Sequence, residues 1–264
     1  MVVQLHQLTA ALYLVAALVA SLGLALPAQR LGRVSLALLG VGFLVHGLCF
    51  AFLHTHASTP ALTDLPLAVS FMAWVGTGFF LALAMRSRLT TLVVLVAPLA
   101  FVSVFVAGLR LPHLVAESVP DGGSWGHAHV LLASAGLALL GLAGVAGAVY
   151  LLEHRRLKAK RPIRSRLAMP SLEALDRVNA IALGLGFPLL TLGVVTGVFW
   201  VEQESGRVWT GTNHEVWSMI AWLIYAVVAI VRFKTGQGAR QAAAVAIGGF
   251  VFLFFAVIGL EWLV

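Results

Sequence analysis

Apolar runs of about twenty residues recur along the whole chain, each close to the ~30 Å needed to cross the hydrocarbon core of a bilayer. Short polar connections separate them, and the pattern predicts eight spans, roughly over residues 5–27, 31–53, 65–85, 89–109, 126–152, 175–200, 214–232 and 240–262. No stretch is left over for a soluble domain. With no internal repeat and no low-complexity segment, residues 1–264 are expected to form one compact domain. The predicted fold class is all-α, a polytopic membrane helix bundle of eight transmembrane helices. The first run sits where a secretory leader would, yet Met1 to Leu8 carry no lysine or arginine and the apolar run is too long for a cleaved leader, so a retained helix is expected.

Composition supports this reading and removes others. The chain is 61% hydrophobic and 10% charged, with a mean hydropathy of +0.99, which is not a soluble composition. A net charge of +7 is a nucleic-acid signal only when basic residues gather on a folded soluble face. Here they sit in membrane connections, and they do so unevenly. Arg30 and Arg33, Arg86 and Arg88, eight residues between Arg155 and Arg177, and Arg232, Lys234 and Arg240 occupy alternate connections. Together these make fifteen of the 17 lysines and arginines, leaving Arg110 and Arg207 for the other set. The positive-inside rule then places the first set in the cytoplasm and both termini outside. The single cysteine, Cys49, excludes an intramolecular disulfide, a C-x-x-C thiol relay and a C-x-x-C-H haem attachment site.

Within this frame, the 153–173 connection is the only long basic tract, and Pro162 and Pro170 discourage a continuous helix through it. It reads as a topology anchor against anionic headgroups. Pro98 and Pro188 fall inside spans and are expected to kink or locally unwind them. Gly193 and Gly197 in the sixth span, and the pairs Ala143/Gly147 and Gly144/Ala148 in the fifth, are small-residue pairs that let helices approach closely.

Candidate chemistry concentrates in two residue types. Four of the seven tryptophans fall between Trp200 and Trp222, bounding a polar connection that holds Glu202, Glu204, Arg207, Asn213, His214 and Glu215. A flat apolar ligand could rest on indole faces there, with His214 near enough to bind a metal at its centre. An aromatic belt at the membrane surface explains the same tryptophans without a ligand. Eight of the nine histidines lie in the outer half or outer connections, with His154 the exception. His46 lies about 20 Å up its span at 1.5 Å per residue, where an ionisable group faces the bundle interior with a partner. That partner is an iron, or simply a carbonyl or serine. His127 and His129 open the fifth span as W-G-H-A-H. Two residues apart on a helix they point to different faces, so at most one enters a shared site. His54 and His56 form a weak H-x-H signal. The chain has no H-E-x-x-H, no P-loop lysine motif, no G-x-S-x-G and no paired carboxylates deep in a span.

These features, taken in order, resemble the CcsA/HemX-like cytochrome c assembly proteins, integral membrane proteins that handle haem at the outer face. Residues 125–262 carry the likeness best, through W-G-H-A-H-V, Y-L-L-E-H-R-R-L-K, P-S-L-E-A-L-D, G-F-P-L-L-T-L-G-V-V-T-G-V-F-W and H-E-V-W-S-M-I-A-W-L-I-Y-A. In that family an outer tryptophan-rich segment docks haem and flanking outer histidines ligate its iron; His129 matches the first of them. The family signature ends W-x-W-D, whereas here Trp209 is followed by Thr210, Gly211 and Thr212. The second outer histidine is replaced by Glu261, one found late in the seventh span is Ile230, and His214 stands where a basic residue is usual. These departures, with His46, resemble the shorter HemX-like branch more than a full cytochrome c synthase.

The resemblance implies a multi-pass protein of the bacterial inner membrane that binds haem b without a covalent bond and assists cytochrome c or haem-protein assembly, as an assembly factor rather than a synthase. Its implied iron ligands are His46, His129 and His214, with Trp125, Trp209 and Trp217 flanking the ring. Its implied partners are haem, membrane lipids and other cytochrome c assembly or respiratory-complex proteins, with no nucleic acid. Two rivals remain: a b-type haem or quinone-linked electron carrier, and a haem-free membrane scaffold.

Overall fold

A computed structural model describes residues 1–26, 29–56, 65–86, 89–116, 123–160, 170–234 and 239–254, with side chains at all of these except 29, 55, 56, 65, 86, 110, 112–116, 253 and 254. The described chain is helical throughout. Its elements are α1 (Val2–Ala25), α2 (Gln29–His56), α3 (Leu65–Arg86), a short 3-10 turn (Thr90–Leu92) leading into α4 (Val93–Ala116), α5 (Gly123–Lys158), α6 (Leu172–Ser205), α7 (Asn213–Lys234) and α8 (Ala239–Phe254). Seven helices are long and apolar enough to cross a membrane. The described part of α8 is 16 residues, about 24 Å at 1.5 Å per residue, and the rest of the predicted eighth span lies outside the described residues. The chain is therefore a multi-pass membrane helix bundle, as the apolar runs predict.

Helix ends differ from the run ends, and the difference has a cause. The apolar run of the fifth span ends near residue 152, but α5 continues to Lys158, because Glu, Arg, Leu and Lys are all good helix formers whatever their polarity. The first six residues of the predicted basic connection are thus helical, with Arg155, Arg156 and Lys158 in the last turn, where positive charge complements the helix C-terminus. The helix α6 opens at Leu172, two residues after Pro170, with the Ser171 side chain accepting from Ala174 N at 3.1 Å as an N-cap. It then runs unbroken through Pro188 to Ser205 and ends on Gly206 in the left-handed conformation, φ +69°, the usual glycine stop.

Contacts group the chain into two compact units, residues 1–121 with 162–170 and residues 122–161 with 171–264. In the first, α1 packs on α2 and α4, and α3 packs on α4. Its interior holds Tyr13, Leu39, Leu67, Phe80 and Ala107, together with His6, His46, Ser70 and Thr77. In the second, α5 pairs with α6 along most of its length and α8 packs on α5. Glycine makes that pairing close: a Cβ on Gly136 would lie 2.6 Å from Leu190 N, and one on Gly193 would lie 2.8 Å from Ala133 N. Gly147 and Gly144 do the same against Ala243 and Phe250 of α8, so the predicted small-residue pairs lie at helix contacts.

Candidate functional site

The ends of α5, α6 and α7 opposite the basic turns bring together the candidates of the second unit. His129, in the second turn of α5, reaches across to α6, where its Nδ1 bonds the Gly193 carbonyl at 2.8 Å. A carbonyl only accepts, so Nδ1 carries the proton and Nε2 keeps a free lone pair. This is the tautomer a metal-ligating imidazole needs, oriented from behind by a backbone oxygen. Gly197 makes room for the ring, since a Cβ there would lie 2.7 Å from Nδ1. His127 bonds within its own helix, its Nδ1 2.6 Å from the Gly123 carbonyl.

His214, exposed in the first turn of α7, meets His129 edge to face, with ring centroids 6.4 Å apart and planes 82° to each other. Trp200 at the end of α6 tilts over His129 at 5.8 Å. Its Nε1 is buried with no hydrogen-bond partner among the described residues, beneath Gly126, where a Cβ would come within 3.3 Å of that nitrogen. Trp125, one turn before His129, stacks on Phe199 at 4.8 Å and 28°. Trp217, one turn after His214, tilts against Phe252 at 5.7 Å. Trp209 is 45% exposed in the loop between α6 and α7.

That loop has its own fastening. Glu215 accepts from Thr210 N at 2.9 Å, from Gly211 N at 2.8 Å and from the Thr210 hydroxyl, while Glu215 N donates to Thr212 Oγ1 at 3.4 Å. Thr212 thus caps the start of α7 through its hydroxyl, and Glu215 in the first turn reaches back to the loop's N–H groups, an arrangement related to the capping box S/T-x-x-E. Thr212 stands where the W-x-W-D signature has aspartate, and threonine and aspartate are both favoured N-cap residue types. The T-N-H-E string is legible in the sequence; Trp200 as a neighbour of His129 is not.

His46 belongs to the first unit. It is fully buried, with Nδ1 3.3 Å from Tyr13 Oη and Nε2 3.0 Å from Ser70 Oγ, so both ring nitrogens are engaged. His6 lies edge-on at 5.8 Å, its Nε2 2.9 Å from the Val104 carbonyl and its Nδ1 3.6 Å from Cys49 Sγ. The interior position expected for His46 is the one observed, with a tyrosine and a serine as partners. Among the described residues no three histidines, cysteines or acidic residues converge as a metal site. The side chains of His56 and His113, and all of Glu261, lie outside the described residues.

A bundle of membrane-crossing helices, with two neighbouring histidines and several tryptophans at one end of one helical unit, defines a multi-pass membrane protein. The chain belongs to the cytochrome c assembly protein family, whose pattern matches residues 62–264 and so runs through both units. It is similar to the cytochrome c biogenesis protein CcsA of Microcystis aeruginosa, 35% identical over 91 residues, which is 34% of this chain and 28% of that one. The CcsA proteins of Gloeobacter violaceus, 32% identical over 147 residues (56% and 39%), and Crocosphaera subtropica, 31% over 117 residues (44% and 35%), are similar as well. The chain spans less than two-fifths of the length of these relatives. Helices α1 and α2, with His6 and His46, precede the family match.

Proposed function

We propose that this protein holds haem during cytochrome c assembly, with the iron between His129 and His214 at the end of the bundle away from its basic turns. The observation that carries the reading is the pair itself. Two imidazoles sharing one metal at about 2 Å from each nitrogen have ring centres about 6 Å apart, and these stand at 6.4 Å. Two protein ligands are too few for a bare metal ion but are the full axial set for a macrocycle that brings four nitrogens of its own. The aromatic surroundings suit such a ring, with Trp200 and the Trp125–Phe199 stack beside the pair. When bound, haem would supply a redox-active iron, and His129 and His214 would hold it and tune its state.

The residues do the rest. The Gly193 carbonyl keeps His129 in its ligating tautomer, Gly197 gives it space, and the tryptophans exclude water and cover the apolar face. About 39 Å of helix at 1.5 Å per residue separates His129 from Arg155, so with basic residues inside the pair faces the outer side of the membrane. Visible spectroscopy with haem supplied tests this. The parent is expected to give a low-spin bis-histidine spectrum; His129→Ala and His214→Ala each convert it to a high-spin one, and His46→Ala leaves it unchanged. A parent that binds no haem, or two single variants that both keep its spectrum, would return the protein to the scaffold reading.

A further inference from the structure

We propose that Glu215 is a positioning residue, holding the tryptophan loop 209–212 and the first turn of α7 as one hydrogen-bonded unit and thereby setting where His214 stands. Its bearing on an iron ligand rests on the haem-holding reading; its hold on the loop does not. The loop from Gly206 to Thr212 is exposed throughout, and its two apolar side chains, Val208 and Trp209, are 59% and 45% exposed. Burial therefore cannot give it one conformation, and polar contacts must. Three donors converge on the Glu215 carboxylate, namely Thr210 N, Gly211 N and the Thr210 hydroxyl. An ionised carboxylate, with two acceptor oxygens and no donor, suits such a set and makes charge-assisted bonds with it.

Gly211 turns the chain at φ +76°, a conformation that places its N–H toward the carboxylate and that a residue with a Cβ adopts with strain. The same carboxylate sits at the N-terminus of α7, where negative charge is favoured. His214 is the adjacent residue in that turn, and its ring meets His129 only edge-on at 6.4 Å. A small rotation of the turn would carry it out of reach of a shared metal.

Two readouts on Glu215→Ala and Glu215→Gln test this. Glutamine keeps one oxygen for the two backbone donors and an amide that can donate to the Thr210 hydroxyl, so it is the rescue variant. With haem supplied, Glu215→Ala should retain haem through His129 yet lose the low-spin spectrum, while Glu215→Gln stays near the parent. A purely structural defect would lower haem content without changing the type of spectrum. In the haem-free proteins, trypsin should cut after Arg207 about tenfold faster in Glu215→Ala than in the parent, and at the parent rate in Glu215→Gln. A low-spin spectrum in haem-loaded Glu215→Ala, or a Glu215→Gln spectrum as altered as that of Glu215→Ala, overturns the proposal. If the parent binds no haem, the haem-holding reading fails by itself and the cleavage rate decides: faster cutting in Glu215→Ala supports the positioning role, and the parent rate overturns it.

Discussion

The Gly193 carbonyl accepts two hydrogen bonds, from His129 Nδ1 at 2.8 Å and from Thr196 Oγ1 at 2.9 Å, and the absence of a side chain at Gly197 lets the first of them form. One added methyl group should therefore act at a distance from its size. In Gly197→Ala the new Cβ would lie 2.7 Å from His129 Nδ1, and the ring must swing away. The expected result is a haem spectrum altered as far as in His129→Ala, whereas Gly248→Ala, with nothing within 4 Å of its Cβ, leaves it untouched. A parent-like spectrum in Gly197→Ala would show that His129 is not a ligand or that the helices part freely. W-G-H-A-H marked His127 and His129 together as candidates beside an interfacial tryptophan, and only the family resemblance singled out His129. Its tautomer was not readable in advance, since its acceptor is 64 residues away. The core position of His6 was equally hidden, because Val104 and Cys49, its partners, stand 98 and 43 positions off.

Between elements, α5 and α6 form the tightest pairing of the second unit, and their glycines set its spacing. Gly136→Leu would drive four carbons into the Leu190 backbone, where even a Cβ comes within 2.6 Å of nitrogen. Overpacking of this kind costs about 1–3 kcal/mol, so the thermal midpoint in detergent should fall. Because the two helices also carry His129 and its acceptor, the haem spectrum should change with it; an unchanged midpoint would mean that the pair does not bear on stability. Spans were legible at this scale and ends were not. Hydropathy tracks where apolar residues stop, but helix formation tracks propensity and caps, which is why α5 passes through Glu153, Arg155 and Arg156 and α7 begins at its Thr212 cap. Pro188 shows the other limit. Of the kink or local unwinding expected there, the second does not occur, since α6 stays helical across the proline, and the neighbouring Thr191 hydroxyl both donates to the Phe187 carbonyl and accepts from Trp222 Nε1 at 3.0 Å, tying the proline turn to α7.

At the scale of the whole molecule, orientation decides whether the histidine pair serves the side where c-type cytochromes are assembled. Within the second unit the geometry is polar along its length: α5 and α7 end on Arg155, Arg156, Lys158, Arg232 and Lys234, Arg232 is paired with Asp176 at 2.7 Å, and His129 and His214 stand at the other ends of the same two helices, with Trp200 of α6 beside His129. Moving this basic end across the membrane would carry several positive charges through hydrocarbon, which is what the positive-inside rule forbids. Cysteine labelling reads the outcome directly, because the one native thiol, Cys49, is 2% exposed and should stay silent. Glu204→Cys, exposed in the tryptophan-rich connection, is expected to react with an impermeant maleimide added outside intact cells. Lys158→Cys should react only after the membrane is opened. The reverse pattern would place the histidine pair in the cytoplasm and remove the argument that this end receives haem for assembly on the outer side, while neutralising Arg155, Arg156 and Lys158 together should mix the two patterns without changing haem affinity in detergent.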